Sequence, residues 1–477
     1  MPSGNGLKAE CTVIKAATMV SAGIGLSPDA RQKAEVASRL AHYIATLRRD
    51  QLSPHTIDIA LCCILDLLGA AAAALDDAGV QAARRAALPL YGPGPIDIWF
   101  TGLTGSTGAA LLANSTAAAA LDLDDGYRPA RGHPGAAVIP AALSMLSAER
   151  APDPTADALL VAVVAGYEIG ARMSMGRPAY TPSGAWSPYA VIATLGSLHA
   201  TPAATIAHAL GIAGQTAPAL PGLAGIVGSD IKEAIPAGVT AGYCALRLAE
   251  AGVTGPAAML DDEALFIRAP ILAGLGETPL IDGTYFKPFG CCRHIHAALD
   301  ALIQLRQEHG FAPEDIARID VHTYRATFNL ANRPQPLDLI DAQYSVPHCL
   351  AVCAWHGGDA LLPLRAAHLR NADVNDLARR VVVHHDADIE PLFPARSPAR
   401  ISVTLRDARC LHSPLTDPRG DPARPLSWTA LIAKFVTASA HGLSPSHQQA
   451  VIDGVMQLGR GRLTPLRQAL ARRASGG

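Results

Sequence analysis

The chain has 477 residues, of which 49% are hydrophobic and 17% charged, and its net charge is −2. That length and apolar content suit two to three domains with sizeable cores. The near-neutral balance gives no basic face for nucleic acid, so none is expected as a partner.

Residues 1–30 lack the apolar run of a signal peptide, because Glu10 and Lys15 interrupt it. They are expected to form a loose arm. From about residue 30 to 275 the pattern is helical, rich in alanine and leucine at helical spacing. TIDIALCCILDLLGAAAAAL (56–75), TADALLVAVVAGYEIGARM (155–173) and AGVTAGYCALRLAEAG (237–252) carry it most clearly. Their ends carry helix punctuation in SP (53–54), PDPT (152–155) and GVTGP (252–256). Asp58 and Asp66 break the most apolar of these stretches, so no membrane span is expected.

LDLDDGYRPARGHPG (121–135) gathers carboxylates, guanidinium groups and an imidazole directly after a segment suited to burial. One further helical turn would place Asp122 and Asp125 on one face, where clustered carboxylates raise each other's pKa. His133 precedes Pro134 and an apolar helix. The positive end of that helix favours a neutral imidazole able to act as a base, and attracts an anion. Arg128 and Arg131 offer fork geometry to carboxylates. The plainer reading is a polar loop joining two buried helices, and the pattern alone weighs the two about equally.

Two further groups stand out. Lys232 lies in the glycine-bounded, apolar turn GSDIKEAIPAG (228–238). TYFKPFGCCRHIHAALDAL (284–302) brings Lys287, Arg293 and His296 to an expected domain boundary, where pockets concentrate. The plainer reading there is a basic approach to an amphipathic helix. Together these cations and carboxylates describe a pocket for a small polyanionic molecule.

After residue 276 the character changes. ARIDVHTYRATFNL (317–330), RRVVVHHDADI (379–389) and ARISVTLRDARCL (399–411) are strand-like, with helical stretches at 294–310 and 346–357. SPLTDPRGDPARPLS (413–427) reads as a connector before a helical return. The expected fold is mainly α with an inserted α+β domain. A helical domain would span residues 31–275 plus 424–477, and a smaller α+β lid 276–423.

Several motifs carry no chemistry on this reading. His294-x-His296 and His384-His385 lack the companion ligands of a metal site. GLAGIVG (222–228) lacks a β-α-β context. The nine cysteines include adjacent pairs at Cys62-Cys63 and Cys291-Cys292 but no C-x-x-C, which fits buried thiols in a reducing cytoplasm.

Taken in order, ILDLLGAAAAA (64–74), DLDDGYRPARGHPGAAVIPAAL (122–143), TLGSLHATPAA (194–204), the 228–256 segment, KPFGCCRHIHAALDA (287–301) and DAQYSVPHCLAVCAWHGG (341–358) resemble the MmgE/PrpD family. The likeness covers roughly residues 35–460. It implies a helical domain with an α+β lid, a homodimer, and metal-free, cofactor-free proton chemistry on small anionic carboxylates. Activities in that family include 2-methylcitrate dehydration, cis-aconitate decarboxylation and iminodisuccinate epimerisation. The resemblance places the catalytic positions on Asp122, His133, Lys232 and Lys287. It places substrate-binding positions on Arg128, Arg131, Ser187, Tyr189, Cys292, Arg293 and His296.

The chain also departs from the family pattern. Gly126 stands where threonine is common, and WSPY (186–189) replaces F-H-P-T, which puts Ser187 where a histidine is usual. Ile235 stands where a histidine commonly follows the first lysine, and some decarboxylases have a histidine at Cys292 and a tyrosine near Leu330. A lyase is the leading expectation, as dehydratase, hydratase or decarboxylase. An epimerase and a carboxylate-binding member without catalysis are the alternatives.

Overall fold

In the computed structural model, residues 34–146, 154–219 and 228–474 are described. The arm expected over residues 1–30 and nearly all of the 222–228 glycine run lie outside them.

The helices form where the sequence punctuates them. Ser53 caps Pro54–Ala73 by accepting from the Thr56 amide at 3.0 Å, with proline in the first turn. Thr155 caps Ala156–Met175 through the Ala158 amide at 3.1 Å. Ile235–Glu250 ends just before the GVTGP stretch. Pro54–Ala73 and Ala156–Met175 are, by length and composition only, long and apolar enough to cross a membrane, although Asp58 and Asp66 interrupt the first. Their most apolar windows are 72% and 89% buried inside the fold, as in the central helices of a globular core.

One hydrophobic core gathers residues from Val36 to Phe286, Leu362, and Leu431 to Leu470 at the C-terminal end. A second core runs from Phe289 to Leu405. The second core holds a four-stranded sheet, in the order Val381–His385, Ile316–Thr323, Arg400–Leu405, Cys410–His412. The first pair is parallel and the others antiparallel. A parallel pair needs a long crossover. Here the crossover carries the helices Val346–His356 and Ala372–Ala378. Along Ile316–Thr323 the alternation of Ile319 and Val321 with Arg318, Asp320 and His322 sends the apolar side chains inward.

The sheet histidines behave as ordinary polar partners. His384 contacts Asp320 at 2.6 Å and His385 contacts Glu390 at 3.0 Å. Among the described cysteines no disulfide forms, and Cys63, Cys291, Cys349 and Cys353 are buried as small apolar groups.

One buried ion pair ties the C-terminal helices to the first core. The ammonium of Lys434 meets Asp66 and also donates to the Leu123 carbonyl at 2.9 Å. Burial pushes the Asp66 carboxyl upward, and Lys434 opposes that shift. Removing one partner strands the other charge. Lys434→Ala is therefore expected to lower the unfolding free energy in a urea titration by about 3–5 kcal/mol. Lys434→Met with Asp66→Asn should recover much of that loss.

Candidate active site

The helix Thr107–Ala119 stops short of the acidic run. Asp122 takes a left-handed backbone with φ 51°, so the expected extra turn does not form and Asp122 and Asp125 do not share a helix face. The chain instead splits the three carboxylates. Asp125 turns inward, where it accepts from the Gly135 amide at 3.1 Å and from the Tyr167 hydroxyl. Asp122 and Asp124 turn to Lys232.

Asp122 is the centre of a buried ion cluster. Lys232 pairs with it and reaches Asp124 at 2.9 Å. Lys287 pairs with Asp122 at 2.8 Å from another chain segment. Burial alone would raise the Asp122 carboxyl, but the two ammonium groups outweigh it and hold it well below the usual carboxylate range. Burial would likewise lower Lys232, and the surrounding Asp122, Asp124 and Glu233 raise it instead. Lys287 is fully buried and has no well-aligned hydrogen-bond acceptor among the described residues, so its N–H groups are not saturated by the protein.

His133 precedes Pro134, the N-cap of the helix Gly135–Leu143. Its Nδ1 lies 2.7 Å from the Asp125 carbonyl oxygen. A carbonyl can only accept, so Nδ1 carries the proton and Nε2 is left to exchange one. Nε2 lies 3.8 Å from both Asp122 and Glu233.

These groups border a cavity of about 560 Å³. Its walls join both cores. Asp122, Arg128, Arg131, His133, Tyr180 and Glu233 line it together with Tyr285, Lys287, Cys292, Arg293, His294 and Tyr344. Arg128 and Arg293 are aimed by Asp421, which Arg293 reaches at 2.6 Å and Arg128 also contacts. Arg131 lies over the Tyr180 ring at 5.2 Å. Burial raises the Tyr180, Tyr285 and Tyr344 hydroxyls, so all three remain donors near neutral pH. It also pushes the Cys292 thiol up to about 12, which makes it a contact and not a nucleophile.

Three expected contacts do not line this cavity. Ser187 donates back to the Ser183 carbonyl at 2.8 Å, the ordinary turn of a serine in a helix. Tyr189 packs edge-on against Phe266 at 6.2 Å. His296 is held at 3.0 Å from the Cys291 carbonyl and 3.1 Å from Arg293, and burial lowers its pKa well below the usual value. It steadies Arg293 from behind. Lys232 also acts from behind the wall, through Asp122.

Glu233, Tyr180, Tyr285, Tyr344 and Asp421 are not among the residues expected from the sequence, where His294 figures only as a histidine without companion metal ligands. His294 lines the cavity, 2.6 Å from the Tyr324 hydroxyl, and is pushed down to about 4 by burial and by Arg128. A neighbouring lysine could have flagged Glu233. The tyrosines and Asp421 lie far from the acidic run in sequence and carry no local signal.

Gly126 explains one departure from the family pattern. A Cβ there would lie 2.3 Å from the Tyr285 ring and hydroxyl, so the tyrosine occupies the space a threonine would need. Asp122, Asp124 and His133 could meet on a metal ion. The Lys232 ammonium already bridges the two carboxylates and takes the cation's place.

The MmgE/PrpD N-terminal domain matches residues 38–272 and the MmgE/PrpD C-terminal domain residues 289–458. A cis-aconitate decarboxylase of Aspergillus terreus (strain NIH 2624 / FGSC A1156) is 24% identical, over 93% of this chain and 97% of its own length. A cis-aconitate decarboxylase of Homo sapiens is 26% identical, over 73% of this chain and 76% of its own length.

Asp125, buried behind His133, gives the fold a pH signature. Burial, opposed by the Tyr167 hydrogen bond, raises its carboxyl from 3.8 to about 7. A raised folded pKa means that its contribution to stability is complete at low pH and is lost as pH climbs through about 7. Asp125→Asn keeps the shape but cannot ionise. The stability of the unaltered chain relative to Asp125→Asn, from urea titrations, should fall between pH 4 and 7. Parallel pH profiles would refute this.

Proposed function

Since the chain belongs to the MmgE/PrpD family, we propose that it is a lyase that moves a proton at a carbon beside a carboxylate of a small di- or tricarboxylate. The observation that carries this reading is His133. Its Nδ1 is fixed as a donor by the Asp125 carbonyl, and Nε2 stands at the wall of a cavity rimmed by Arg128, Arg131, Lys287 and Arg293. Those four cations exceed the lining carboxylates Asp122 and Glu233, so the cavity suits a ligand with several negative charges. Its volume lies within the roughly 300–1,000 Å³ typical of small-molecule sites.

The geometry supports the following roles. His133 carries the proton at carbon. Lys287, with donor capacity to spare, takes a carboxylate and stabilises the enolate that develops as the proton leaves. Asp122 is a poor base because two ammonium groups hold it ionised, and its work is to keep Lys232 and Lys287 in place. The tyrosine hydroxyls add neutral donors. Residues 276–423 supply the part of the wall that covers the substrate.

Two bond cleavages share this proton step. In dehydration or its reverse, water leaves or adds beside the carbon His133 serves. In decarboxylation, a β,γ-unsaturated acid loses CO2 as its double bond shifts and the far alkene carbon takes the proton. The second is favoured by the two relatives named above, each a cis-aconitate decarboxylase.

Proton NMR in D2O tests the reading, with cis-aconitate, citrate and 2-methylcitrate offered separately. The reading expects alkene signals to appear or vanish with deuterium entering at the adjacent carbon. His133→Ala should lower kcat/KM by about a hundredfold or more. Equal turnover by His133→Ala would remove the imidazole from the chemistry.

A further inference from the structure

Glu233 has no place in the steps so far, yet it is built into the cavity with care. Its Oε2 accepts from the Ser183 amide at 2.9 Å and from the Ser183 hydroxyl at 2.6 Å. That pins one oxygen and leaves Oε1 beside His133 Nε2, at 3.8 Å. The Ser183 hydroxyl also accepts from the His133 amide at 3.0 Å. One serine therefore sets the spacing between the imidazole and the carboxylate.

The backbone beneath them is strained. Glu233 and Ala234 are consecutive left-handed residues, with φ 51° and 49°. Neither is glycine, so both hold a backbone conformation that their side chains disfavour. The turn is held against Gly184, whose amide donates to the Glu233 carbonyl at 2.9 Å. A Cβ at Gly184 would sit 2.4 Å from that same oxygen, so only glycine permits the approach. Strain of this kind persists where the surroundings demand a particular side-chain direction. Here the direction is toward His133 and the cavity.

We propose that Glu233 is a second catalytic residue, the proton carrier at oxygen beside His133 as the carrier at carbon, and that the reaction is therefore reversible addition of water to an unsaturated polycarboxylate. This rests on the lyase reading above and selects between its two branches. Decarboxylation needs a proton only at carbon. Addition of water needs transfers at carbon and oxygen, and two carriers stand at the wall.

The step balances. In the addition direction the Glu233 carboxylate takes a proton from water, and the water oxygen bonds to one alkene carbon. The π pair moves to the neighbouring carbon and takes the proton from Nε2 of the His133 imidazolium. Passing the proton from Oε1 to Nε2 then restores both groups, with no net gain or loss by the protein. Elimination is the reverse. The two carriers stand side by side on one wall. Epimerisation would need them on opposite faces of a single carbon, so the spacing also argues against that alternative.

The test compares the unaltered chain with Glu233→Gln and Glu233→Asp. Water addition to cis-aconitate and water loss from citrate are followed by NMR, alongside thermal melts and calorimetric binding of tricarballylate, a saturated tricarboxylate that cannot react. Glu233→Gln should lose about a hundredfold or more in both directions, while its melt and its tricarballylate affinity stay within threefold of the unaltered chain. If Glu233→Gln does not melt cooperatively, Glu233→Asp decides, since it keeps the charge but withdraws it by one methylene. Its expected result is impaired water addition with an intact melt. Water addition within threefold of the unaltered rate in a folded variant overturns the role of Glu233 and leaves the lyase reading standing. Loss of CO2 from cis-aconitate by the unaltered chain without water addition also overturns it. An unaltered chain inert toward every substrate overturns the lyase reading itself, and this inference with it.

Discussion

Everything at this site depends on two lysines and an aspartate being buried together. Asp122, Lys232 and Lys287 come from three distant parts of the chain and meet where almost no water reaches them. Desolvating any one alone would be prohibitive, and each is tolerated only because the others are present. Such a cluster is a poor source of net stability. Its value is geometric, since it fixes the segment that carries His133 against the segment that carries Lys287 and Arg293. It also keeps positive charge at the wall without spending all of its hydrogen-bonding capacity.

A second constraint acts on His133. The Asp125 carbonyl decides which ring nitrogen holds the permanent proton, and the Ser183 hydroxyl holds the main chain of the same residue. The imidazole is therefore oriented before any ligand arrives. Pre-organisation of this kind matters more for proton transfer than raw basicity, because reach and direction limit the step. The arginines are prepared in the same way, with Asp421 aiming Arg128 and Arg293 and His296 supporting Arg293.

Much of this was legible in the sequence, and what was not has identifiable causes. Helix starts could be read because serine, threonine and proline caps are local chemistry, as at Ser53 and Thr155. The strands could be read because alternation is local too. The continuation of Thr107–Ala119 was misjudged because aspartate tolerates a left-handed turn, and nothing nearby signals whether it takes one. Ser187 and Tyr189 are expected from the family resemblance alone, and the stretch Ser187–Gly196 that carries them is buried throughout, while His296 turns its ring to the Cys291 carbonyl and Arg293. Glu233 was passed over because a carboxylate next to a lysine reads as an ordinary charged pair. Its direction is set by strain and by Ser183, 50 residues away in sequence. The resemblance points to four central residues, and the coordinates add that Asp122 is paired with two lysines while His133 keeps Nε2 toward the cavity.

The most direct test of this account is a crystal structure of the chain with tricarballylate. The account predicts the ligand in the cavity between the two cores. Its carboxylates should lie on Lys287 and on Arg128, Arg131 or Arg293, with a methylene or methine carbon within reach of His133 Nε2. A ligand bound elsewhere, or one whose carbons all face away from His133 while its carboxylates fill the site, would contradict it.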